Sequence, residues 1–110
     1  METGFIKVAN KDDIPVGKIK KVRLGDKDVL IANVSGNFYA INDSCTHQGE
    51  DLSQGKLVGN IVECPKHHSK FDVTTGKVVL LPSIAFFHPK INDEKTYQVK
   101  VENEGIMIKP

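Results

Sequence analysis

Tryptophan is missing from this chain of 110 residues, and cysteine occurs only twice. Two cysteines cannot build the dense disulfide framework by which small secreted domains make up for a thin core. No apolar run approaches the roughly 18 residues that a membrane-spanning helix needs. The N-terminal Met1-Glu2-Thr3-Gly4-Phe5-Ile6-Lys7 also lacks the apolar stretch of a signal peptide. These absences predict a soluble protein of the cytoplasm. A net charge of either sign is lacking too: 15 basic side chains oppose 14 acidic ones, which leaves a formal +1. That balance gives neither a nucleic-acid footprint nor an acidic tail. There is no Gly-rich nucleotide fingerprint, no recognisable mononuclear 2-His-1-carboxylate site, no internal repeat and no long helical periodicity. The length allows one modest core, so residues 1–110 are expected to form a single domain, monomeric alone.

What is there concentrates in one stretch. Each cysteine has a histidine within three residues: Cys45-Thr46-His47, then, after sixteen intervening residues, Cys64-Pro65-Lys66-His67. Two thiolates and two neutral imidazoles suit a tetrahedral zinc ion or an iron–sulfur cluster. Zinc fingers usually group like ligands, whereas here each loop pairs one Cys with one His. Mixed pairs suit a two-iron cluster in which both cysteines hold one iron and both histidines the other, because each loop then gives one ligand to each metal. A structural zinc module stays as the remote alternative. His68 offers a second imidazole at Cys-x3-His, but the x2 spacing of His67 fits the pattern better.

The run Cys45-Thr46-His47, then Cys64-Pro65-Lys66-His67-His68-Ser69-Lys70-Phe71-Asp72 with Thr75-Gly76, resembles the Rieske iron–sulfur domain, and within it the small soluble ferredoxins that serve bacterial oxygenases. The resemblance implies an all-β fold, an antiparallel sandwich or barrel with a cluster-binding subdomain of two loops and short hairpins at about residues 43–82. It implies one 2Fe-2S cluster on Cys45, His47, Cys64 and His67. It also implies a one-electron carrier, not itself an enzyme, between a flavin-dependent reductase and a terminal oxygenase. The alternative within the family is a small subunit of a larger oxidoreductase, such as an assimilatory nitrite reductase. Gly49 and Gly76 are expected to permit turns that a Cβ would obstruct, and Pro65 and Pro82 to stiffen the loops.

The rest of the chain reads as scaffold. Phe5–Ala9 is a first strand, followed by a Pro- and Gly-punctuated connection with room for a helical turn at Lys11–Ile14. In Lys18–Leu24 the apolar Ile19 and Leu24 stand on opposite parities, as they would at a bulge near Lys20-Lys21 or at an exposed edge, which the lysines would guard. Val29–Val34 and Phe38–Ile41 continue a meander through turns at Gly25-Asp26 and Ser35-Gly36. Lys56–Val58 and Ile61–Glu63 form a hairpin about Gly59-Asn60, and Lys70–Val73 and Lys77–Leu81 another about Thr74–Gly76. After Pro82 an added stretch, Ser83–Thr96, holds Phe86, Phe87 and His88 and departs from the smallest Rieske ferredoxins. Thr96–Val101 and Ile106–Ile108 close the chain as a last hairpin.

A cluster with two thiolates and two neutral imidazoles carries two fewer negative charges than one with four thiolates. It accepts an electron more readily, at roughly −150 to +300 mV against about −400 mV for plant-type ferredoxins. In high-potential relatives the resemblance implies a Ser hydroxyl donating to a bridging sulfide and a Tyr hydroxyl donating to a cysteine sulfur. Ser69 supplies the first, while Phe71 stands where the Tyr would be, and no cysteines remain for a loop-bridging disulfide. The lower part of the range is therefore expected, with His68 a polar neighbour of the site. The proton affinity of the free ring nitrogens should rise on reduction.

Overall fold

The computed structural model describes residues 4–44, 51–65, 68–81 and 92–110. Among these residues it is built from β1 (Ile6–Asn10), β2 (Ile19–Leu24), β3 (Lys27–Val34), β4 (Asn37–Asn42), β5 (Lys56–Val58), β6 (Ile61–Glu63), β7 (Lys70–Asp72), β8 (Val78–Leu80), β9 (Thr96–Glu102) and β10 (Gly105–Lys109), with 3-10 turns at Lys11–Asp13 and Leu52–Gln54. None of the described residues forms a helix long and apolar enough to cross a membrane.

Six strands form one antiparallel sheet in the order β1-β10-β9-β4-β3-β2, and four form a second in the order β5-β6-β7-β8. The ends of the first order, β1 and β2, lie against each other without a ladder, so the sheet curls into a nearly closed barrel. The all-β expectation and the strand positions hold, and the helical turn after β1 is present as the 3-10 turn Lys11–Asp13. Residues 82–91, which include Phe86, Phe87 and His88 of the added stretch, lie outside the described residues.

Period-two alternation sorts the strands between two cores. Val29 and Ile31 of β3, Ala40 of β4, Val22 and Leu24 of β2, and Ile106 and Ile108 of β10 fill the barrel. The opposite parity, Leu30 and Ala32 of β3 and Ile41 of β4, packs outward against Leu52, Val62, Cys64, Phe71 and Val73. Strand β3 is thus buried on both faces, which is why it reads as an unbroken apolar run.

Of the two alternatives for β2, a bulge or an edge, this double burial removes the bulge. Its pairing with β3 runs unbroken from Ile19↔Ala32 to Leu24↔Lys27. Ile19 packs on the outer core while Val22 and Leu24 enter the barrel, so the change of parity marks two buried faces and no slip. β2 is indeed an edge of its sheet. The irregularity sits in β1 instead, between Lys7 and Ala9. There it lets the consecutive residues Val8 and Ala9 both pack on the barrel core, which a regular strand forbids.

Two close approaches hold the small sheet to its neighbours. A Cβ on Gly76 (φ 78°) would lie 2.2 Å from the Glu94 carbonyl oxygen, and one on Gly55 would lie 1.8 Å from that of Glu63. The Glu94 amide donates to the Gly76 carbonyl at 2.7 Å, and the Val78 amide to the Asp93 carboxylate at 2.9 Å. The β7–β8 turn is therefore fastened to the segment that leads into β9.

Candidate metal centre

Two loops leave the scaffold at its junction with the small sheet. The first departs after β4 and returns through a bridge between Ser44 and Asp51. Its base is closed by the Leu52 amide donating to the Asp43 carbonyl at 2.6 Å. Cys45, His47 and Gly49 belong to this loop and lie outside the described residues, as do His67 and Pro82. The second loop leaves β6 at Cys64 and rejoins β7 after Ser69, closed by the Cys64 amide donating to the Ser69 carbonyl at 2.7 Å.

Cys64 is 1 % exposed and belongs to the outer core with Leu52, Val62 and Phe71. Ser69 and Phe71 are both fully buried. Pro65 is exposed. A cavity of about 300 Å³ opens beside Cys64, lined by Gln54 and Gly55 from the return of the first loop and by Glu63, Cys64, Pro65 and His68 from the second. The bases of both loops therefore meet at one place. A buried thiol on one loop, facing a cavity shared with the other, fits a group bridged between them.

His68 is exposed, and its Nδ1 lies 2.6 Å from the Glu63 carboxylate. Its backbone is left-handed, with φ of 61°. Histidine tolerates that region better than most residues, and the turn sends its ring to the surface.

Two residues at the foot of the first loop escape a reading of the sequence. Asp43 is fully buried. Its Oδ1 accepts from the Ser53 amide at 2.7 Å and its Oδ2 from the Ser53 hydroxyl at 3.0 Å. Burial raises its carboxyl above the ordinary range; the two Ser53 bonds offset part of that rise, Asp51 adds to it and Lys21 works against it. On the surface above, Lys21 of β2 reaches Asp51 at 2.9 Å and Asp28 at 3.7 Å. The available signal was the placement of Asp43 and Ser53 just outside both ends of the ligand loop. Its meaning depends on the Ser44–Asp51 bridge.

On the other side of the site Asp72 organises the β7–β8 turn. Its Oδ1 accepts from the Thr74 amide at 2.9 Å, the Thr74 hydroxyl at 2.6 Å and the Asn60 amide group at 3.1 Å. Burial works to raise its pKa, but the Thr74 and Asn60 hydrogen bonds outweigh it, so the carboxyl lies below its ordinary value.

Comparison with known proteins converges on the same reading. Residues 4–106 match the family model of the Rieske [2Fe-2S] domain. The chain is 39 % identical over 109 residues to the ferredoxin component of the naphthalene 1,2-dioxygenase/salicylate 5-hydroxylase systems of a Ralstonia species, covering 99 % of this chain and 98 % of that one. Its fold superposes on the Sphingomonas yanoikuyae B1 ferredoxin with a TM-score of 0.81 at 27 % identity, covering 96 % and 97 % of the two chains. It also superposes on a chain from the complex of reduced oxygenase and oxidised ferredoxin in carbazole 1,9a-dioxygenase, with a TM-score of 0.80 at 30 % identity and coverage of 98 % and 94 %. The Rieske-type cluster displaces the zinc alternative, and the chain belongs to the Rieske [2Fe-2S] domain family.

Proposed function

We propose that this chain is a one-electron carrier of the cytoplasm that takes electrons from a flavin-dependent reductase and delivers them to a terminal oxygenase. The observation that carries the reading is the end-to-end likeness to a dioxygenase ferredoxin component, over 99 % of this chain and 98 % of that relative. Cys45 and Cys64 would hold one iron of the cluster and His47 and His67 the other, with Ser69 and Phe71 adjusting its potential. The cluster supplies reversible one-electron chemistry at a potential above that of four-thiolate ferredoxins. The protein's own share is to bury Cys64 in the outer core and close each loop at its base.

His68 supports the choice of His67. Its Nδ1 is engaged by Glu63 and its ring faces solvent. The experiment compares His67→Ala with His68→Asn, an αL-tolerant replacement that avoids backbone strain at a φ of 61°. His67→Ala should lose the visible absorption of the holoprotein and His68→Asn should keep it; the reverse would refute the ligand assignment. Electron flow is tested by mixing the purified holoprotein with candidate reductases and oxygenases and following its reduction and reoxidation by absorbance. Failure of every oxygenase to reoxidise the reduced protein would count against the carrier role.

A further inference from the structure

A buried carboxylate is costly, and the base of the first loop does not need one for closure. The Ser44–Asp51 bridge and the bond from the Leu52 amide to the Asp43 carbonyl already join its two ends. Yet Asp43, with no exposed surface, turns both carboxylate oxygens on a single residue and accepts from the amide and the hydroxyl of Ser53. Two bonds to one residue fix its orientation as well as its distance. Lys21 is engaged by Asp51 and Asp28 at the surface.

The consequence reaches the second loop. Ser53 lies in the 3-10 turn Leu52–Gln54, which ends at Gly55 through the Gly55 amide donating to the Leu52 carbonyl at 2.9 Å. Gly55 in turn packs so closely on the Glu63 carbonyl that a Cβ has no room, and Glu63 precedes Cys64. At its other end Asp43 is tied to the barrel, its amide donating to the Asp28 carbonyl at 3.0 Å. A chain of short, directional contacts therefore runs from the barrel through Asp43 and Ser53 to Gly55 and Glu63. It joins the foot of one ligand loop to the foot of the other.

We propose that Asp43 and Ser53 are positioning residues for the cluster, whose paired hydrogen bonds set the spacing of the two ligand loops and so the retention and redox character of the group held between them. The proposal rests on the ligand assignment above. A cluster bridged between two loops is sensitive to their separation in a way that a packed core is not.

The test uses the purified holoprotein. Ser53→Ala deletes one hydrogen bond and leaves the backbone bond. Ser53→Thr keeps the hydroxyl, and Asp43→Asn keeps one acceptor. Four quantities are followed: loss of visible absorbance in chelator, the g-values of the reduced cluster by electron paramagnetic resonance, the midpoint potential, and far-ultraviolet circular dichroism. Ser53→Ala and Asp43→Asn should lose absorbance about tenfold faster than wild type, as expected for a hydrogen bond to a charged acceptor. They should also show shifted g-values and midpoint with unchanged circular dichroism, and Ser53→Thr should restore all three cluster properties. Faster loss with unmoved g-values and midpoint would mean that the pair supports the fold alone, and would overturn the proposal. So would failure of Ser53→Thr to restore them. If Asp43→Asn fails to fold, the two Ser53 variants carry the test by themselves. A wild-type protein without a cluster would instead overturn the ligand assignment.

Discussion

Phe71 is a packing residue whose proposed second role is redox tuning. It is fully buried in the same cluster as Cys64, Leu52 and Val62, so its ring is part of the apolar packing around Cys64. Truncation to Ala should cost about 3–5 kcal/mol. Phe71→Tyr is more informative, because it adds only a hydroxyl. If that hydroxyl finds a cysteine sulfur, the midpoint potential measured by protein-film voltammetry should rise while stability is nearly kept. If it finds none, the potential should stay and denaturant unfolding should report a loss of about 1–3 kcal/mol. Gly76 is constrained by its backbone and its surroundings alike. With φ at 78° and 2.2 Å between a Cβ position and the Glu94 carbonyl, Gly76→Ala should destabilise the holoprotein by about 2 kcal/mol or more in urea unfolding.

Asp72 gives the pH prediction, and its sign follows from its lowered pKa. A carboxyl that ionises more easily in the folded state than in the unfolded one stabilises the fold above its ordinary value of 3.8, and loses that contribution as pH falls through the lowered folded value. Asp72→Asn should therefore be less stable than wild type at neutral pH. The difference between them should shrink on acidification below the ordinary carboxylate range, as read from urea midpoints across pH. A difference that grew on acidification would contradict the assigned direction.

At the scale of elements, the hairpins form where turn chemistry allows and the register follows. Ser35-Gly36 adopts left-handed values, at φ of 54° and 92°, between β3 and β4. The last hairpin does the same with Asn103 and Glu104, at 52° and 66°. Glutamate is a poor residue for that conformation, and its exposed pairing with Lys11 at 3.4 Å contributes little. Glu104→Gly would create the Asn-Gly pair that type I′ turns favour, and should stabilise the protein by about 0.5–1 kcal/mol in thermal or urea unfolding.

β2 and β1 show where element-level reading fails. Ile19 and Leu24 on opposite parities look like a slipped strand only if one face is assumed to be wet. Both faces of β2 meet a core, because the small sheet covers the outside of the barrel there. In β1, Val8 and Ala9 are too ordinary a pair to announce the irregularity that lets both pack inward. No local pattern distinguishes these cases, since the cores that receive Ile19 in β2 and Val8 and Ala9 in β1 are built by residues distant in sequence.

For the whole molecule, two cores imply two grades of dependence on the cluster. The barrel core of Val29, Ile31, Ile106 and Ile108 is separate from the outer core that contains Cys64. Removing the cluster should therefore loosen the small sheet first. Amide hydrogen exchange of the apoprotein should keep protection in β9 and β10 while protection falls in β6 and β7. Uniform loss across both sheets would show that the fold opens as one unit.

The sequence by itself determined the ligand chemistry, the all-β class and the position of almost every turn. Each rests on short-range facts: a Cys beside a His, Gly and Asn where φ must turn positive, and alternation over a few residues. Only the tertiary structure decided which residues support that chemistry. Asp43, Ser53 and Gly55 are an acid, a hydroxyl and a glycine in an unremarkable polar connection until the Ser44–Asp51 bridge folds the loop back and brings Gly55 against Glu63. His68 likewise reads in the sequence only as a second imidazole after Cys64, and the fold gives it a left-handed backbone and an Nδ1 contact with Glu63. Spacing along the chain encodes which groups can bind a metal. The long-range pairing that holds them in place emerges only when separate segments share one buried surface.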